Sequence, residues 1–269
     1  TENFTENYIE GAAAIKNHLA DYTKRIKLIT MIGEKEEYKK FITKKLNKKI
    51  ETIFFKKNDS PTILKKRYID NISKSKLFGI YSINDDVSPI KLDTEIGKCM
   101  EKNIKNFDLV IVSDYGHGFL SKKAAKKISS KKKFIALNAQ VNASNIGYYL
   151  LKKYKNIDAT IINETELRHE MRNKNEDIKI LSKRLLKKLK TKHLLVTRGK
   201  IGSFLISANS NELVESPAFA SNVVDKVGAG DAMLAIISML IKIGAPKDLS
   251  LLLGSFAGAA SVESMGNSV

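Results

Sequence analysis

Hydrophobic and polar residues along this chain alternate between a strand pattern and a helical pattern. Short apolar runs indicate buried strands, and the segments between them repeat their apolar residues at helical spacing. The predicted strands are Arg25–Ile32, Asp108–Ser113, Phe134–Asn138, Ala159–Asn163 and His193–Thr197. The predicted helices are Gly11–Tyr22, Lys35–Lys48, 93–104, 121–129, 143–154, two segments between 164 and 192, 229–243 and 247–264. Because parallel strands need crossover connections, this order predicts an α/β fold with a doubly wound, mostly parallel sheet flanked by helices.

The pattern changes between residues 52 and 90. Three short β-like runs follow one another there without an intervening helix: Thr52–Lys56, Thr62–Asp70 and Leu77–Ile83. We interpret residues 52–90 as a small β-sheet inserted at the edge of one domain that covers residues 1–269. Ligands of doubly wound sheets bind beyond the carboxyl ends of the strands, so an inserted sheet near that edge is a candidate lid. A β-hairpin is predicted across Gly199–Val214.

Length and cysteine content restrict the class of protein. The 269 residues are enough for one large α/β domain. Cys99 is the single cysteine, which excludes an internal disulfide framework and fits a reducing, cytoplasmic compartment. The longest apolar run, Ala232–Ile243, contains Lys242 and is too short to span a bilayer, so we expect no membrane contact. Because Thr1 is not an initiator residue and no core strand precedes the first helix, we expect a fragment that lacks its first strand.

The formal net charge of +18 is the strongest compositional feature. Most of this charge is lysine, which is spread along the whole chain at helical spacing on amphipathic segments. Arginine, the usual reader of base edges, is scarce, and aromatic residues do not alternate with the basic runs as a stacking surface would require. We therefore interpret the lysines as solvated helix faces and predict no nucleic-acid partner. A surface that binds polyanions is the alternative interpretation.

The sharpest chemical signal is a glycine-rich segment ahead of a long apolar helix. It reads Asn222-Val-Val-Asp225-Lys-Val-Gly228-Ala229-Gly230-Asp231. Glycines leave backbone amides accessible, and a helix N-terminus offers unpaired N–H groups and the positive end of the helix dipole, so the segment predicts an anion site. A phosphate would repel an acid directly beside it. Asp231 is therefore interpreted as the base that takes a proton from a hydroxyl attacking that phosphate, with a simple helix cap as the alternative.

Four motifs, in the same order along the chain, resemble those of the ribokinase/PfkB carbohydrate kinases. The first is the segment Asp225–Asp231, which is similar to the family's Asp-x-x-Gly-Ala-Gly-Asp signature. The others are Asn163-Glu164-Thr165-Glu166, Thr197-Arg198-Gly199-Lys-Ile-Gly202 and Gly258-Ala-Ala-Ser-Val-Glu-Ser-Met-Gly266. The resemblance implies a ribokinase-like fold and the cofactors ATP and Mg²⁺.

The same resemblance implies roles for individual residues. Asp231 would be the general base, beside a phosphate site formed by Gly228, Ala229 and Gly230. The implied nucleotide contacts are Thr197, Gly199, Gly202, Asp225 and Gly258. Asn163 and Glu166 would order Mg²⁺ through water, without a direct protein ligand to the metal. For Asp225, capping of the turn or ordering of a nearby monovalent cation are both open.

Two further segments resemble a subgroup, the kinase domain of the bifunctional ADP-heptose synthesis enzymes. Ser113-Asp114-Tyr115-Gly116-His117-Gly118 is similar to its Ser-Asp-Tyr-Gly-x-Gly loop, and Lys66-Arg67 is similar to its Thr-Arg strand. The implied substrate contacts are Gly11, Arg67, Asp114 and Gly116. Arg67 would grip a remote phosphate bidentately. The resemblance also implies a C-terminal nucleotidyltransferase domain in the full-length chain, and an inserted lid can support a homodimer.

The chain departs from the family on the acceptor side. Glu10-Gly11 stands where the family has two glycines, and Ala14 stands where asparagine is expected. Asn138-Ala-Gln140-Val-Asn142 replaces the Asp-Pro-Lys stretch of the heptose kinases. The first strand, whose acidic residue holds sugar hydroxyls in the family, is absent. Because the phosphate side is intact, ATP chemistry is the firmer inference and the identity of the sugar stays open.

The implied function is transfer of the γ-phosphate of ATP to a sugar hydroxyl, with the anomeric hydroxyl of a heptose 7-phosphate-like sugar as the implied acceptor. A kinase for another sugar or a nucleoside is the alternative within this class. A nucleotide-binding regulatory module that has lost acceptor chemistry is the alternative from a different class. Both alternatives follow from the changes on the acceptor side.

The remaining candidate residues carry weaker signals. The histidines His18, His117, His169 and His193 show no metal-ligand spacing. His117 lies in a glycine-rich loop near the expected substrate, where a contact and a plain loop role are both open. Asp114 is interpreted either as a substrate contact or as a turn acid. Cys99 is interpreted as a packed helix residue.

Overall fold

The computed structural model describes residues 5–47, 50–70, 72, 76–130, 132–140, 151–208, 212–225 and 227–264. Its helices are α1 (Ala12–Leu19), α2 (Lys39–Lys45), α3 (Ile90–Ile104), α4 (Lys122–Ser129), α5 (Glu164–Met171), α6 (Ile178–Leu189), α7 (Ala229–Lys242) and α8 (Lys247–Val262). Its strands are β1 (Ile26–Gly33), β2 (Ile50–Lys57), β3 (Leu64–Ile69), β4 (Lys76–Ser82), β5 (Leu109–Asp114), β6 (Phe134–Ala139), β7 (Ala159–Asn163), β8 (His193–Thr197), β9 (Ser203–Ser207) and β10 (Leu213–Ser216). Within these residues no helix is long and apolar enough to cross a lipid bilayer.

A six-stranded sheet with the order β10-β9-β8-β7-β6-β5 forms the centre of the fold. Strands β5 to β8 pair in parallel, while β9 and β10 add an antiparallel hairpin at one edge. The parallel strands are continuous apolar runs because helices cover both faces of the sheet. This arrangement confirms the predicted α/β fold with a mostly parallel sheet.

Two hydrophobic layers lie on opposite faces of this sheet. Neighbouring residues of β7 show the separation, since Ile161 packs into one layer and Ile162 into the other. The layer containing Ile162 includes buried residues of α3, α4, α5 and α6, and the layer containing Ile161 includes buried residues of α1, α7 and α8. The sheet therefore presents α7, which follows the glycine-rich segment, on the same face as α1.

A second, two-stranded sheet joins β1 and β2 in parallel, with Ile26 opposite Ile50. A cavity of about 1860 Å³ separates it from the central sheet and is lined by residues of both β1 and β5. This pairing corrects the predicted insertion over residues 52–90, because the run Thr52–Lys56 belongs to β2 and not to the lid. The physical reason is that α2 connects β1 to β2 as a crossover, which places the two strands in parallel.

The lid sheet is the antiparallel pair β3 and β4, with Arg67 opposite Gly79. Every residue of β4 is exposed, including the large apolar side chains Leu77, Phe78 and Ile80. The predicted helix at 35–48 is shorter in the structure, since α2 begins at Lys39 and none of its residues is buried. Most of the predicted helix 143–154 lies outside the described residues, and residues 151–153 form a single 3₁₀ turn.

Candidate active site

The carboxyl ends of the parallel strands bring the sequence motifs to one edge of the central sheet. Strand β5 ends at Asp114, β7 at Asn163 and β8 at Thr197. Asn163 and Thr197 are direct partners in the register of β7 and β8. Because all these strands point the same way, the loops that follow them share one edge, where ligands of such sheets bind.

The glycine-rich segment forms the N-terminus of α7. Gly228 caps the helix in the left-handed region with φ 95°, and no side chain of the described residues caps this end. The Gly228 carbonyl accepts the Ala232 N–H at 2.9 Å, so the helical turn starts here. Apart from its chain neighbours and the backbone of its own helix, no heavy atom of the described residues lies within 4 Å of the position that a Cβ of Gly230 would occupy. Open space beside uncapped helical amides fits the predicted anion site.

Asp231 is the third residue of α7 and is held by two donors. The Tyr115 hydroxyl donates to Asp231 Oδ1 at 2.9 Å, and the Gly11 backbone N–H also donates to this carboxylate. Burial raises the pKa of Asp231 to about 6; the two hydrogen bonds oppose the rise, and the Glu10 charge adds to it. A carboxylate that titrates near neutral pH suits a general base. Burial also raises the pKa of Tyr115 well above 10, so its hydroxyl remains a donor.

The C-terminal end of α8 anchors the segment that leads to the glycines. The Val262 carbonyl accepts the backbone N–H groups of Val224 and Asp225 at 2.8 Å and 3.0 Å. Asp225 Oδ1 accepts the Val227 N–H at 3.0 Å, which is an Asx turn. This bond agrees with the turn-capping interpretation of Asp225, and its predicted nucleotide contact stays a prediction.

Asn163 and Glu166 form a reciprocal capping box at the start of α5. Asn163 Oδ1 accepts the Glu166 N–H at 2.8 Å, and Glu166 Oε2 accepts the Asn163 N–H at 3.0 Å. This motif fixes the start of the helix at the end of β7. The predicted ordering of Mg²⁺ through water stays a prediction. In the part of the chain that the structure describes, no three His, Cys, Asp or Glu side chains form a group that could hold a metal ion.

The turn after β8 contains two glycines with different surroundings. Both have positive φ, 56° at Gly199 and 103° at Gly202. A Cβ at Gly202 would lie 2.1 Å from the Ser216 carbonyl oxygen, so this glycine permits a close approach of the chain to the end of β10. A Cβ at Gly199 would meet no heavy atom of the described residues within 4 Å, its two chain neighbours aside. Of these two predicted nucleotide contacts, Gly199 is therefore the one whose backbone borders open space.

Gly258 lies in the contact between α8 and α7. A Cβ there would be 3.0 Å from Met233 Cγ and 3.7 Å from the Ala229 carbonyl oxygen. The glycine thus lets α8 pack closely against the first turns of α7. This packing role was not part of the sequence prediction, which assigned Gly258 to the nucleotide, and that contact remains untested.

On the acceptor side, Gly11 makes room for Tyr115. Gly11 has φ 63°, and a Cβ there would lie 2.9 Å from Cε2 of the Tyr115 ring. Without a side chain at this position, the ring passes Gly11 and its hydroxyl reaches Asp231. Sequence analysis predicted a substrate contact at Gly11 and assigned no role to Tyr115, although the tyrosine lies inside the loop that carried the resemblance.

Arg67 on the lid is paired with Glu10 through both oxygens of the carboxylate. Arg67 Nη1 donates to Glu10 Oε1, and Nη2 donates to Oε2 at 3.2 Å. Lys65, on the same strand, places its ammonium 5.5 Å from the centroid of the Tyr115 ring. All four side chains line the large cavity. Arg67 therefore lies on the lid sheet and lines the cavity, its contact with substrate stays a prediction, and its pairing with Glu10 was not predicted from the sequence.

Asp114 is buried, and both of its carboxylate oxygens are engaged by protein groups. Oδ1 accepts the Gly116 N–H at 3.0 Å, and Oδ2 accepts the Tyr154 hydroxyl at 2.7 Å and is 2.7 Å from Lys153 Nζ. The structure thus gives Asp114 the role of a turn acid that shapes its loop. Gly116, with φ 73°, provides one of the donors. Substrate contacts by Asp114 and Gly116 remain predictions.

Comparison with known proteins identifies relatives over nearly the whole chain. Residues 19–269 match the family model described as pfkB family carbohydrate kinase. The bifunctional protein HldE of Haemophilus influenzae (strain PittEE) is 26% identical over 260 residues, which cover 96% of this chain and 52% of that protein. HldE of Campylobacter curvus is 29% identical over 183 residues, covering 66% of this chain and 37% of that protein. The chain therefore spans about half the length, or less, of these curated relatives.

Solved structures share the fold at low sequence identity. Phosphofructokinase-2 from Escherichia coli, in complex with substrates and products, superposes with a TM-score of 0.70 at 14% identity, covering 93% of this chain and 79% of that one. An Escherichia coli protein provisionally described as a ribokinase II, in complex with ATP and Mg²⁺, gives a TM-score of 0.75 at 16% identity, covering 98% and 85%. At such identities the likeness establishes the fold alone, and that fold is ribokinase-like.

Proposed function

The chain belongs to the pfkB family of carbohydrate kinases, and on that basis we propose that it transfers the γ-phosphate of ATP to a sugar hydroxyl with Asp231 as the general base. The observation that carries this proposal is the start of α7. Open space at Gly230 and an uncapped helix N-terminus lie next to a carboxylate whose pKa is raised by burial to about 6. The helix N-terminus suits a phosphate, and the carboxylate suits a proton acceptor beside it.

In the proposed reaction each group of the chain has one task. The amides of the first turn of α7, at Ala229 and Gly230, neutralise charge on the phosphoryl group as it moves. Asp231 accepts the proton of the attacking hydroxyl, which lies in line with the bond that breaks. The Tyr115 hydroxyl and the Gly11 N–H hold the carboxylate in place for this transfer.

The residues present fit ATP and Mg²⁺. The positions of Gly199 and Gly230, where a Cβ would meet nothing within 4 Å, leave room for phosphates and nucleotide along the strand ends. Asn163 and Glu166 would hold Mg²⁺ through water, since amide and carboxylate oxygens are the donors this ion prefers and the capping box fixes both side chains. When bound, Mg²⁺ neutralises negative charge on the phosphate oxygens. The likeness to a ribokinase-like protein with ATP and Mg²⁺ supports this assignment.

For the acceptor, we propose the anomeric hydroxyl of a heptose 7-phosphate-like sugar. The support is the resemblance of Ser113–Gly118 and Lys66–Arg67 to the heptose kinases, together with the basic side chains of Lys65 and Arg67 in the cavity. The cavity of about 1860 Å³ is large enough for a sugar phosphate. A different sugar, a nucleoside, or a regulatory module that only binds nucleotide are the alternatives.

Partners and location are proposed from weaker observations. The exposed apolar residues of β4 support a homodimer through the lid, because an isolated two-stranded sheet is marginally stable. A monomer in light scattering at micromolar concentration would reject this homodimer. The bifunctional relatives support a second, nucleotidyltransferase domain in the full-length chain. A cytoplasmic location rests on the cysteine content.

The deciding experiment measures ADP release by the full-length protein with Mg-ATP and a panel of free sugars, sugar phosphates and nucleosides. Sugar-dependent ADP release supports the kinase and identifies its acceptor. If calorimetry detects ATP binding but no compound stimulates ADP release, the regulatory module replaces the kinase. Release that a nucleoside stimulates and sugars do not would reject the proposed acceptor class.

A further inference from the structure

One histidine in the cavity has no task in the mechanism proposed above. His117 follows β5, its side chain is 8% exposed, and it lines the same cavity as Arg67 and Tyr115. Its Nδ1 lies 2.6 Å from Asp85 Oδ1. Its Nε2 is buried and has no hydrogen-bond partner among the described residues. A buried nitrogen without a partner is costly in a folded protein, which raises the question of what binds it.

The Asp85 side of this pair is rigidly built. Asp85 lies in the return from the lid to α3, and the buried Lys57 fixes the residues on either side of it. Lys57 Nζ donates to the Asn84 carbonyl at 3.0 Å and to the Asp86 carbonyl at 2.7 Å. Because Asp85 accepts from Nδ1, the neutral ring carries its proton on Nδ1 and its lone pair on Nε2.

The loop that carries His117 is pressed against the same return segment. A Cβ at Gly118 would lie 1.9 Å from the Asp86 carbonyl oxygen, so only glycine permits this approach. The Gly118 carbonyl accepts the Ser88 N–H at 3.1 Å and the Ser88 hydroxyl at 2.9 Å. The imidazole is therefore clamped between two segments in a single orientation.

Burial favours the neutral form of the imidazole. Burial lowers the pKa of His117, and the positive charge of Lys65 acts in the same direction, whereas Asp85 and Asp114 oppose it. Tyr115 adds an aromatic neighbour whose ring centroid is 6.3 Å from that of the imidazole, at an interplanar angle of 10°. In the neutral ring, Nε2 is thus a hydrogen-bond acceptor on a residue that lines the acceptor-side cavity.

We propose that Nε2 of His117 accepts a hydrogen bond from a hydroxyl of the acceptor sugar, which makes His117 a specificity-determining residue of the acceptor site. The inference rests on the proposed kinase function. Tyr115 links the two positions, because its hydroxyl bonds to Asp231 and its ring stacks on His117. A sugar whose reacting hydroxyl lies at Asp231 extends along Tyr115 towards Nε2. Since Nε2 is shielded from solvent, the proposal requires side chains that line the cavity to move when the sugar enters.

The test compares two variants that each keep one half of the imidazole. His117→Asn places an amide near Nδ1, keeps a bond to Asp85 and removes the acceptor at Nε2. His117→Gln reaches the Nε2 position with its amide and loses the bond to Asp85. Steady-state kinetics are measured with heptose 7-phosphate, fructose 6-phosphate, fructose and ribose. We expect His117→Asn to raise the KM for the acceptor about 5- to 50-fold and to leave the KM for ATP unchanged. In His117→Gln, the KM for the acceptor should return part of the way to the wild-type value.

An unchanged acceptor KM in His117→Asn would overturn the inference, because a purely structural histidine needs only its bond to Asp85. A deoxy sugar that lacks the bound hydroxyl sharpens the result. The deoxy sugar should bind the wild-type protein more weakly than the parent sugar does, whereas His117→Asn should bind the two sugars equally well. Equal losses in both proteins would also count against the contact.

A binding measurement separates this inference from the proposed function. The ¹⁵N resonance of His117 Nε2, assigned by its loss in His117→Asn, is followed as the same sugars are added without ATP. If a sugar shifts this resonance while the wild-type protein shows no turnover, the kinase function fails and the sugar contact stands. If a sugar that is turned over leaves the resonance unchanged, the contact fails and the kinase stands. No shift and no turnover would reject both.

Discussion

The region of Gly199 and Gly230 differs from the acceptor-side cavity in the groups that stay open. On the proposed nucleotide side, a Cβ at Gly199 or Gly230 would meet open space among the described residues, while the side chains of Asn163, Glu166 and Asp225 bond within the chain. On the acceptor side, Arg67 is bound by Glu10, His117 by Asp85, and Asp114 by Lys153 and other groups. A nucleotide that binds at these two glycines, as we propose, displaces no ion pair there, whereas an acceptor that uses Arg67 or Asp114 must replace or extend existing pairs.

This difference has an energetic consequence for specificity. Separating a partly buried ion pair leaves a desolvated charge, which is strongly unfavourable unless the ligand supplies an equivalent partner. A sugar phosphate can supply an anion to Arg67, and a neutral sugar cannot. Under the proposed function, we therefore expect the acceptor site to select ligands by the ion pairs they can replace, and the nucleotide site to select them by shape and backbone amides.

The largest expected effect is at Asp231, where the two sides meet. Asp231→Asn should lower kcat by about 10²–10⁴-fold, because a general base is lost, and leave ATP binding nearly unchanged. Asp248→Asn is the matched control, since Asp248 is also an acid in the first turn of a helix, α8. Kinetics and ATP calorimetry check both variants. Near-normal turnover in Asp231→Asn would remove this residue from the role.

The same variant should also change the pH dependence of stability. Because burial raises the pKa of Asp231 from 3.8 in the unfolded chain to about 6, ionisation disfavours the folded wild-type protein as pH rises from about 4 to 6. Asp231→Asn does not ionise, so its Tm should exceed that of the wild type by a few degrees at pH 8, with a much smaller difference at pH 4. Thermal unfolding at both pH values measures this. An equal Tm difference between the two proteins at pH 4 and pH 8 would contradict the raised pKa of Asp231.

The next effect concerns the open nucleotide side. Gly230→Ala should raise the KM for ATP or lower kcat by about 10- to 100-fold, because a methyl group would enter the space where the phosphate binds. Its Tm should not fall, since alanine favours a helix more than glycine does. Gly254→Ala is the matched control, because a Cβ there would lie 2.2 Å from Ile237 Cγ1. That control should lose about 1–3 kcal/mol of stability through overpacking. If Gly230→Ala instead lost stability and kept normal kinetics, the phosphate would bind elsewhere.

A smaller effect, about tenfold per pH unit, is expected from titration of the base. Turnover should fall as pH decreases below about 6, where Asp231 becomes protonated. The Tyr115 hydroxyl stabilises the ionised carboxylate and lowers its pKa, so Tyr115→Phe should move the midpoint to higher pH. Rate profiles between pH 5 and 9 check this. A midpoint that stays in place would separate Tyr115 from control of the base.

The smallest expected effect tests the paired acceptor side. Glu10→Gln should release Arg67 and lower the KM for sugar phosphates by about 3- to 10-fold, a factor that corresponds to a partly exposed ion pair. The KM for free ribose serves as the control and should not change. If Glu10→Gln instead raises the KM for every sugar, Glu10 itself binds the acceptor, and Arg67 is its support.

Sequence patterns predicted those parts of the fold and the site that depend on neighbouring residues. The parallel strands β5 to β8 follow from continuous apolar runs between helical segments. The uncapped start of α7 follows from glycines placed directly before an apolar helix, and Asp231 is part of that same segment. The capping box of Asn163 and Glu166 has a spacing of three residues and is equally local, although the sequence analysis did not predict it.

Other features could not be read from the sequence. The run Thr52–Lys56 looked like part of the lid, but β2 pairs with β1 because α2 crosses between them. The close packing of Gly258 against Met233 of α7 was also not predicted, and the nucleotide contact predicted for Gly258 stays a prediction. In each case the local sequence pattern was compatible with more than one packing partner, and the tertiary packing decided which partner the segment contacts.

The sequence by itself determined the α/β class, and it predicted a candidate anion site at the start of α7 and a candidate base, because each depends on residues within a few positions of one another. Only the tertiary structure decided which polar groups meet on the acceptor side. Tyr115 and Asp231 are 116 residues apart, Arg67 and Glu10 are 57 apart, and His117 and Asp85 are 32 apart. No periodicity connects such distant positions; the approach of the lid, the loop after β5 and the first helix connects them.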